Sequence, residues 1–371
     1  MVSNAVAVSA RSWQSCGRAE RGGHLRSDRH QALDLIRGLA AVGVAIYHWL
    51  QWGMHITVQS LGLFSVYLFF ILSAVTMCLI YEPLFGDGIT GEGVRSFFRN
   101  RAARLLPLLA LLATAYLLLA LYMGGAASTE LSKAVLTGTG AMALTAPGFV
   151  SNTYGAWSLG TELAFYVAVP IAILLAARTS AAKIGLLFLA SIFAQQIYLQ
   201  LIAPLRGTAH WALYTAFLTF APFFCLGFLI FKADGRRSVG SLWPMLICYL
   251  SVACFSLLWP TDLFRSTMPY LLLTALCGGA IFFAYRSDVP AWLGGISVFL
   301  GEISYALYLT HPFTNMAVSK VAQAMGLPAP WTLPFYLLAA GAVAYLSYRF
   351  FERPSRDYFR GERRLQPATL P

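Results

Sequence analysis

The chain has 371 residues, of which 58% are hydrophobic and only 11% charged, and it carries a formal net charge of +11. A soluble domain usually has about 25% charged residues, so this composition leaves too little polar surface to coat a soluble body. The positive balance reads as the inward charge bias of a membrane protein, not as a nucleic-acid footprint, because no zinc or RNA-binding motif accompanies it.

Residues 1–32 are polar and Arg-rich, with Arg11, Arg18, Arg21, Arg26 and Arg29 and no preceding apolar run. A secretory signal needs such a run, so the segment is expected to be a disordered basic cytoplasmic tail. Apolar runs then recur to the end of the chain. They predict spans at 33–52, 61–82, 105–124, 157–177, 184–202, 209–231, 241–259, 268–286, 296–320 and 332–351. Each is near the 20 or so residues that cross about 30 Å of hydrocarbon as a helix. The period-two alternation of a barrel is not evident. The expected fold class is therefore all-α, a polytopic transmembrane bundle of about ten spans with both termini cytoplasmic. The membrane domain is 33–354, followed by a short basic cytoplasmic tail at 355–371.

Charge supports this count. Of the 26 Lys and Arg, four fall on the outer side: Lys133, Arg206, Arg265 and Lys320. The other 22 lie on the cytoplasmic side, as the positive-inside rule requires. The longest inner loop is expected at 83–104, with Arg95, Arg99, Arg101 and Arg104. The longest outer loop is expected at 125–156, rich in Gly, Ser and Thr. Five of the six cysteines lie in apolar runs without CxxC spacing and read as small core residues. The six His include no HExxH pattern, so no metal site is expected.

Ionisable residues inside the membrane are costly and mark function. Arg37 and His48 share one face of the first span, about 16 Å apart along the axis. Glu162 on the fourth span and His311 on the ninth are expected near the depth of His48. One layer would then hold a His beside a carboxylate, a general-base arrangement. Asp34 is expected to pair with Arg37. Arg99, Arg101 and Arg104 fit either a phosphorylated cytoplasmic donor or lipid headgroups and ordinary inward charge. Trp49, Trp52, Tyr154 and Trp157 fit either a sugar-binding cleft or an interfacial aromatic belt. Tyr305, Tyr308 and the turn at 294–295 read as structural.

These elements together resemble the integral-membrane acyltransferases of acyltransferase family 3. LDLIRGLAAVGVAIYH at 33–48 is similar to the family's opening Arg, ten residues, then His. FFILSA at 69–74 resembles its next motif, with Ser73 in it and Ala74 where Gly is usual. RNRAARLLP at 99–107 resembles its Arg-x-x-Arg loop through Arg101 and Arg104. WSLGTELAFY at 157–166 resembles the element that supplies Glu162, and LGEISYALYLTHP at 300–312 the one that supplies His311. FERP at 351–354 resembles the usual ending. Glu302 departs from the pattern outside the catalytic set.

The resemblance implies a bacterial cytoplasmic-membrane enzyme with no permanently bound cofactor and acetyl-coenzyme A as donor. The acceptor implied is a hydroxyl of a surface or secreted glycan or a lipid-linked saccharide. Arg37, Arg101 and Arg104 would hold the coenzyme A phosphates, and His48, oriented by Glu162, would be the base. An acyl-His48 intermediate is the alternative. His311, Trp157, Tyr154 and Ser73 would line the pocket, with His311 either a second acid–base group or a pocket wall. The family's extra extracytoplasmic domain is not expected, since only about 20 residues follow the last span. A transporter, or a subunit relaying acyl groups to a separate partner, are the other classes that buried charge allows.

Overall fold

The computed structural model describes residues 30–202, 211, 214–233, 240–258 and 267–360. Of the expected tails, 1–32 and 355–371, residues 1–29 and 361–371 lie outside the described residues, as do Arg206 and Arg265. Helix is the only regular secondary structure among the described residues. The principal helices are α1 (Gln31–Gly53), α2 (Gln59–Phe85), α3 (Gly91–Tyr122), α4 (Ala127–Gly138), α5 (Ala156–Arg178) and α6 (Ala181–Ile197). They are followed by α7 (Phe217–Lys232), α8 (Trp243–Leu258), α9 (Thr267–Arg286), α10 (Ala291–Ala324), α11 (Thr332–Ser347) and α12 (Arg353–Arg360). Among the described residues, eight helices are long and apolar enough to cross a membrane. The seventh expected span matches α8 and the sixth overlaps α7, both shorter apolar helices of 16 residues; residues 209–210 and 212–213 of the sixth lie outside the described residues.

Two expected loops are helical instead. The inner loop predicted at 83–104 shrinks to Gly86–Thr90, because α3 starts at Gly91, well before the apolar run. Thr90 caps α3 by accepting from the Gly93 amide at 3.1 Å, and Glu92 sits in the first turn against the helix dipole. Arginine is a good helix former, so the charged stretch continues the helix outside the hydrocarbon. Pro107 lies inside α3. The outer loop predicted at 125–156 folds into α4, a 3₁₀ turn at Ala141–Leu144 and a one-turn helix at Pro147–Val150. Hydropathy marks where a helix can enter lipid, not where it ends.

The centre of the bundle is the crossing of α1 and α10. Small residues allow backbones to approach closely where lipid offers no hydrophobic drive. A Cβ on Gly301 would fall 2.5 Å from Asp34 Cβ, and one on Gly38 would collide with Leu300. Ala74 is accommodated by its neighbour: a Cβ on Gly227 of α7 would fall 2.5 Å from Ala74 Cβ. Trp49 donates its indole N–H to Thr332 Oγ1 at 2.9 Å and so ties α1 to α11.

Candidate active site

Helices α1, α3 and α10 run in the same direction between two cavities, and α5 returns between them. The helix period decides which side chains reach each cavity. Arg37 lines the first and His48 the second, three turns further along α1.

The first cavity measures about 90 Å³ and is lined by Arg37, Arg101, Arg104, Ser73, Glu162 and Tyr166, among others. That is far below the ~300 Å³ of the smallest ligand clefts. Arg37 pairs with Asp34 at 3.0 Å, as expected. Arg101 is only 6% exposed, and among the described residues no carboxylate lies within ion-pair distance of it. Its guanidinium donates to the Tyr81 hydroxyl at 3.2 Å, stacks 5.1 Å from that ring and is within reach of Tyr166. Tyr166 donates to Glu162 Oε1 at 2.7 Å, and Ser73 donates to the same oxygen. The Tyr166 oxygen therefore keeps its lone pairs for Arg101, and a chain Glu162–Tyr166–Arg101–Tyr81 fixes the buried cation. A guanidinium so held presents its remaining N–H donors to an anion.

The second cavity is an open cleft of about 1090 Å³, at the upper end of the range for ligand sites. Each helix contributes a stripe at spacing three to four: Val44, Tyr47, His48, Gln51 and Trp52 from α1, Tyr116, Leu119 and Ala120 from α3, continued by Met123 at its C-cap. Trp52 stacks on His48 at 4.4 Å, and Tyr154 meets Trp52 at 5.2 Å and Tyr116 at 5.9 Å. Trp157 lines the cleft beside Tyr214 at 4.7 Å. Trp49 does not line it; its ring is buried and bonded to Thr332 of α11.

His48 is half-buried at the cleft and His311 is fully buried behind it, their rings stacked at 5.0 Å. His48 Nδ1 and His311 Nε2 are 2.9 Å apart, and His311 Nδ1 lies 3.1 Å from the Leu307 carbonyl. A carbonyl only accepts, so His311 Nδ1 carries the proton and its Nε2 is the acceptor when the ring is neutral. His48 must then donate from Nδ1, which leaves the Nε2 lone pair of His48 available as a base. The expected His48–Glu162 pairing is replaced by this one. Glu162 is engaged by Ser73 and Tyr166 on the arginine side. The depth argument missed this because it fixed height along the axis but not the direction in which each side chain points. Among the described residues no group of three His, Cys, Asp or Glu is placed to hold a metal ion; the histidine pair, with one ring nitrogen facing the cleft, is disposed for acid–base chemistry.

Tyr308 and Val66 line both cavities. The Tyr308 hydroxyl lies 2.8 Å from Ser158 Oγ and 3.0 Å from the Gly155 carbonyl, and its ring meets Phe69 at 5.6 Å. Gly155 has φ +77°, and a Cβ there would press on the Tyr308 ring at 3.1 Å. Tyr308 is thus a wall between the two spaces, latched by its own hydroxyl. It read as structural from sequence, although its position one turn before His311 places it at the same junction. Tyr305 also lines the first cavity, and its hydroxyl donates to the Leu105 carbonyl at 2.5 Å.

Residues 30–349 match the family model described as acyltransferase domain, of acyltransferase family 3. No curated protein and no solved structure matches the chain.

Proposed function

The chain belongs to acyltransferase family 3 and is an integral-membrane acyltransferase, and from that membership we propose that it moves an acetyl group from acetyl-coenzyme A to a hydroxyl of a cell-surface or secreted glycan, or of its lipid-linked precursor. The compartment proposed is the bacterial cytoplasmic membrane, with the arginine cavity facing the cytoplasm, as the inward charge bias favours. The observation that carries this reading is the pairing of the two cavities. One is lined by a fixed, buried guanidinium suited to phosphate, the other by aromatic rings and a base, and one tyrosine separates them.

In this proposal Arg37, Arg101 and Arg104 hold the phosphates of the donor. The cavity beside them is too small for the pantetheine arm, so donor entry requires side chains such as Tyr308 to swing aside. The acceptor enters the aromatic cleft. His48 Nε2 takes the proton of its hydroxyl as the oxygen attacks the thioester carbonyl carbon. The carbon–sulfur bond then breaks and the thiolate recovers a proton from the His48 imidazolium, giving an ester and free coenzyme A thiol. His311 is a positioning residue: its Nε2 accepts from His48 Nδ1–H throughout and stabilises the imidazolium. Base catalysis of this kind is typically worth about 10²- to 10⁴-fold. Glu162 is assigned here to the donor side, where it fixes Tyr166 and through it Arg101.

The test is turnover of acetyl-labelled acetyl-coenzyme A by purified protein with envelope glycan as acceptor, beside His48→Ala. Label on glycan with the native protein alone supports the proposal. Equal labelling by a folded His48→Ala protein removes the mechanism.

A further inference from the structure

Three charged side chains line the aromatic cleft among the described residues: Glu130, Lys133 and Lys320. Glu130 and Lys133 lie one turn apart on α4 and pair at 3.2 Å, so they cancel. Lys320 on α10 is exposed and has no ion-pair partner among the described residues. The other polar groups there, such as Gln51, Asn152 and Gln323, are neutral. Among the described residues the lining therefore carries one uncompensated positive charge. It does so on the side where the insertion bias works against Lys and Arg. Of the 26 basic residues only four fall on that side by the topology above, and two of them line this cleft.

The position of the charge is also informative. His311 and Lys320 are nine residues apart on α10, about 14 Å along the axis. Between them the helix turns Phe313, Asn315 and Met316 into the cleft, and Phe313 meets Tyr116 at 4.3 Å. A ligand reaching from the base to Lys320 crosses aromatic surface and amides first. Resting on the reading of this cleft as the acceptor's site, we propose that the acceptor is an anionic saccharide. Its negative group, a carboxylate or a phosphate, lies beyond the sugar that reacts and meets Lys320.

The experiment is binding of fluorescently labelled tetrasaccharides to the purified full-length protein in nanodiscs of neutral lipid. One probe is a neutral tetragalactoside, the second a tetragalacturonate of equal length, the third the neutral tetrasaccharide carried on a prenyl diphosphate. The expected result is tighter binding of the second or third probe than of the first by up to about fivefold, the upper range for one exposed ion pair. The preference should fade with salt, vanish in Lys320→Gln and invert in Lys320→Glu, both checked for folding by gel filtration. Which probe wins separates a carboxylate on the glycan from the phosphate of a lipid carrier. Equal binding, no binding of any probe, or a preference that survives Lys320→Gln would overturn the inference. A charge preference without any turnover of acetyl-coenzyme A would leave the anionic-saccharide site at Lys320 standing and remove the acetyl-transfer reading. Turnover that depends on His48 but shows no charge preference would remove this inference alone.

Discussion

The hydrogen bond between His48 and His311 offers the sharpest perturbation. His311→Phe keeps a ring of similar size at a fully buried position but takes away the 2.9 Å acceptor of His48 Nδ1–H and leaves it only the Val44 carbonyl one turn back. Losing the side-chain acceptor of a donor that becomes charged costs about 1–3 kcal/mol. If that cost falls mainly on the transition state, where His48 becomes cationic, it corresponds to about a 5- to 150-fold loss in kcat. The KM for acetyl-coenzyme A should hold, since His311 does not line the arginine cavity. His311→Gln supplies an amide oxygen that can accept from Nδ1–H, and part of the rate should return. The double variant His48→Ala/His311→Phe should be no slower than His48→Ala alone, because His311 acts only through His48. The assay is steady-state release of coenzyme A thiol over a range of donor concentrations. Wild-type kcat in a folded His311→Phe protein, or a double variant far below His48→Ala, would refute the tautomer argument.

Other outcomes follow from the same geometry. Arg101→Gln should raise the KM for acetyl-coenzyme A by about 10- to 150-fold, the worth of a hydrogen bond to a charged group, with kcat largely kept; a loss confined to kcat would argue against phosphate binding. Glu162→Gln should weaken donor binding in the same direction, because Tyr166 loses a charged acceptor (2.7 Å) and with it the geometry of Arg101; if instead it changes the pH profile of kcat while donor KM holds, the carboxylate acts on the base after all. Tyr308→Ala should raise hydrolysis of acetyl-coenzyme A without acceptor, measured as free acetate, because the wall shared by the two cavities is removed. Tyr308→Phe, losing only the Ser158 and Gly155 latch, should leak less. Gly301→Val should prevent the α1–α10 crossing, read as loss of a monodisperse gel-filtration peak.

The helices and their order were legible in the sequence because an apolar run of some 20 residues has few other uses. Their ends were not, since the helical stretch of α3 through Arg95, Arg99, Arg101 and Arg104 is invisible to hydropathy. Arg37 and His48 were rightly put on one face because they belong to one helix of known pitch. Contacts between helices were harder. The placement of His48 against His311 depends on Gly38 and Gly301 letting α1 and α10 approach, and nothing local to either histidine reveals it. Glu162 was found as a buried carboxylate but assigned to the wrong neighbour, because rotation of α5 about its axis, not depth, decides which cavity it faces. Tyr308 was passed over since a tyrosine in an apolar run is usually packing; its role appears only when both cavities exist around it.

The most direct test of the account is sidedness. Native protein and His48→Ala would be reconstituted in sealed vesicles with one orientation, with acetyl-labelled acetyl-coenzyme A supplied only on the side of the arginine cavity. The account predicts that label leaves coenzyme A with the native protein alone and is recovered, as acetylated acceptor or acetate, on the side of the aromatic cleft. Label recovered only on the donor side, or equal release by the two proteins, would contradict it.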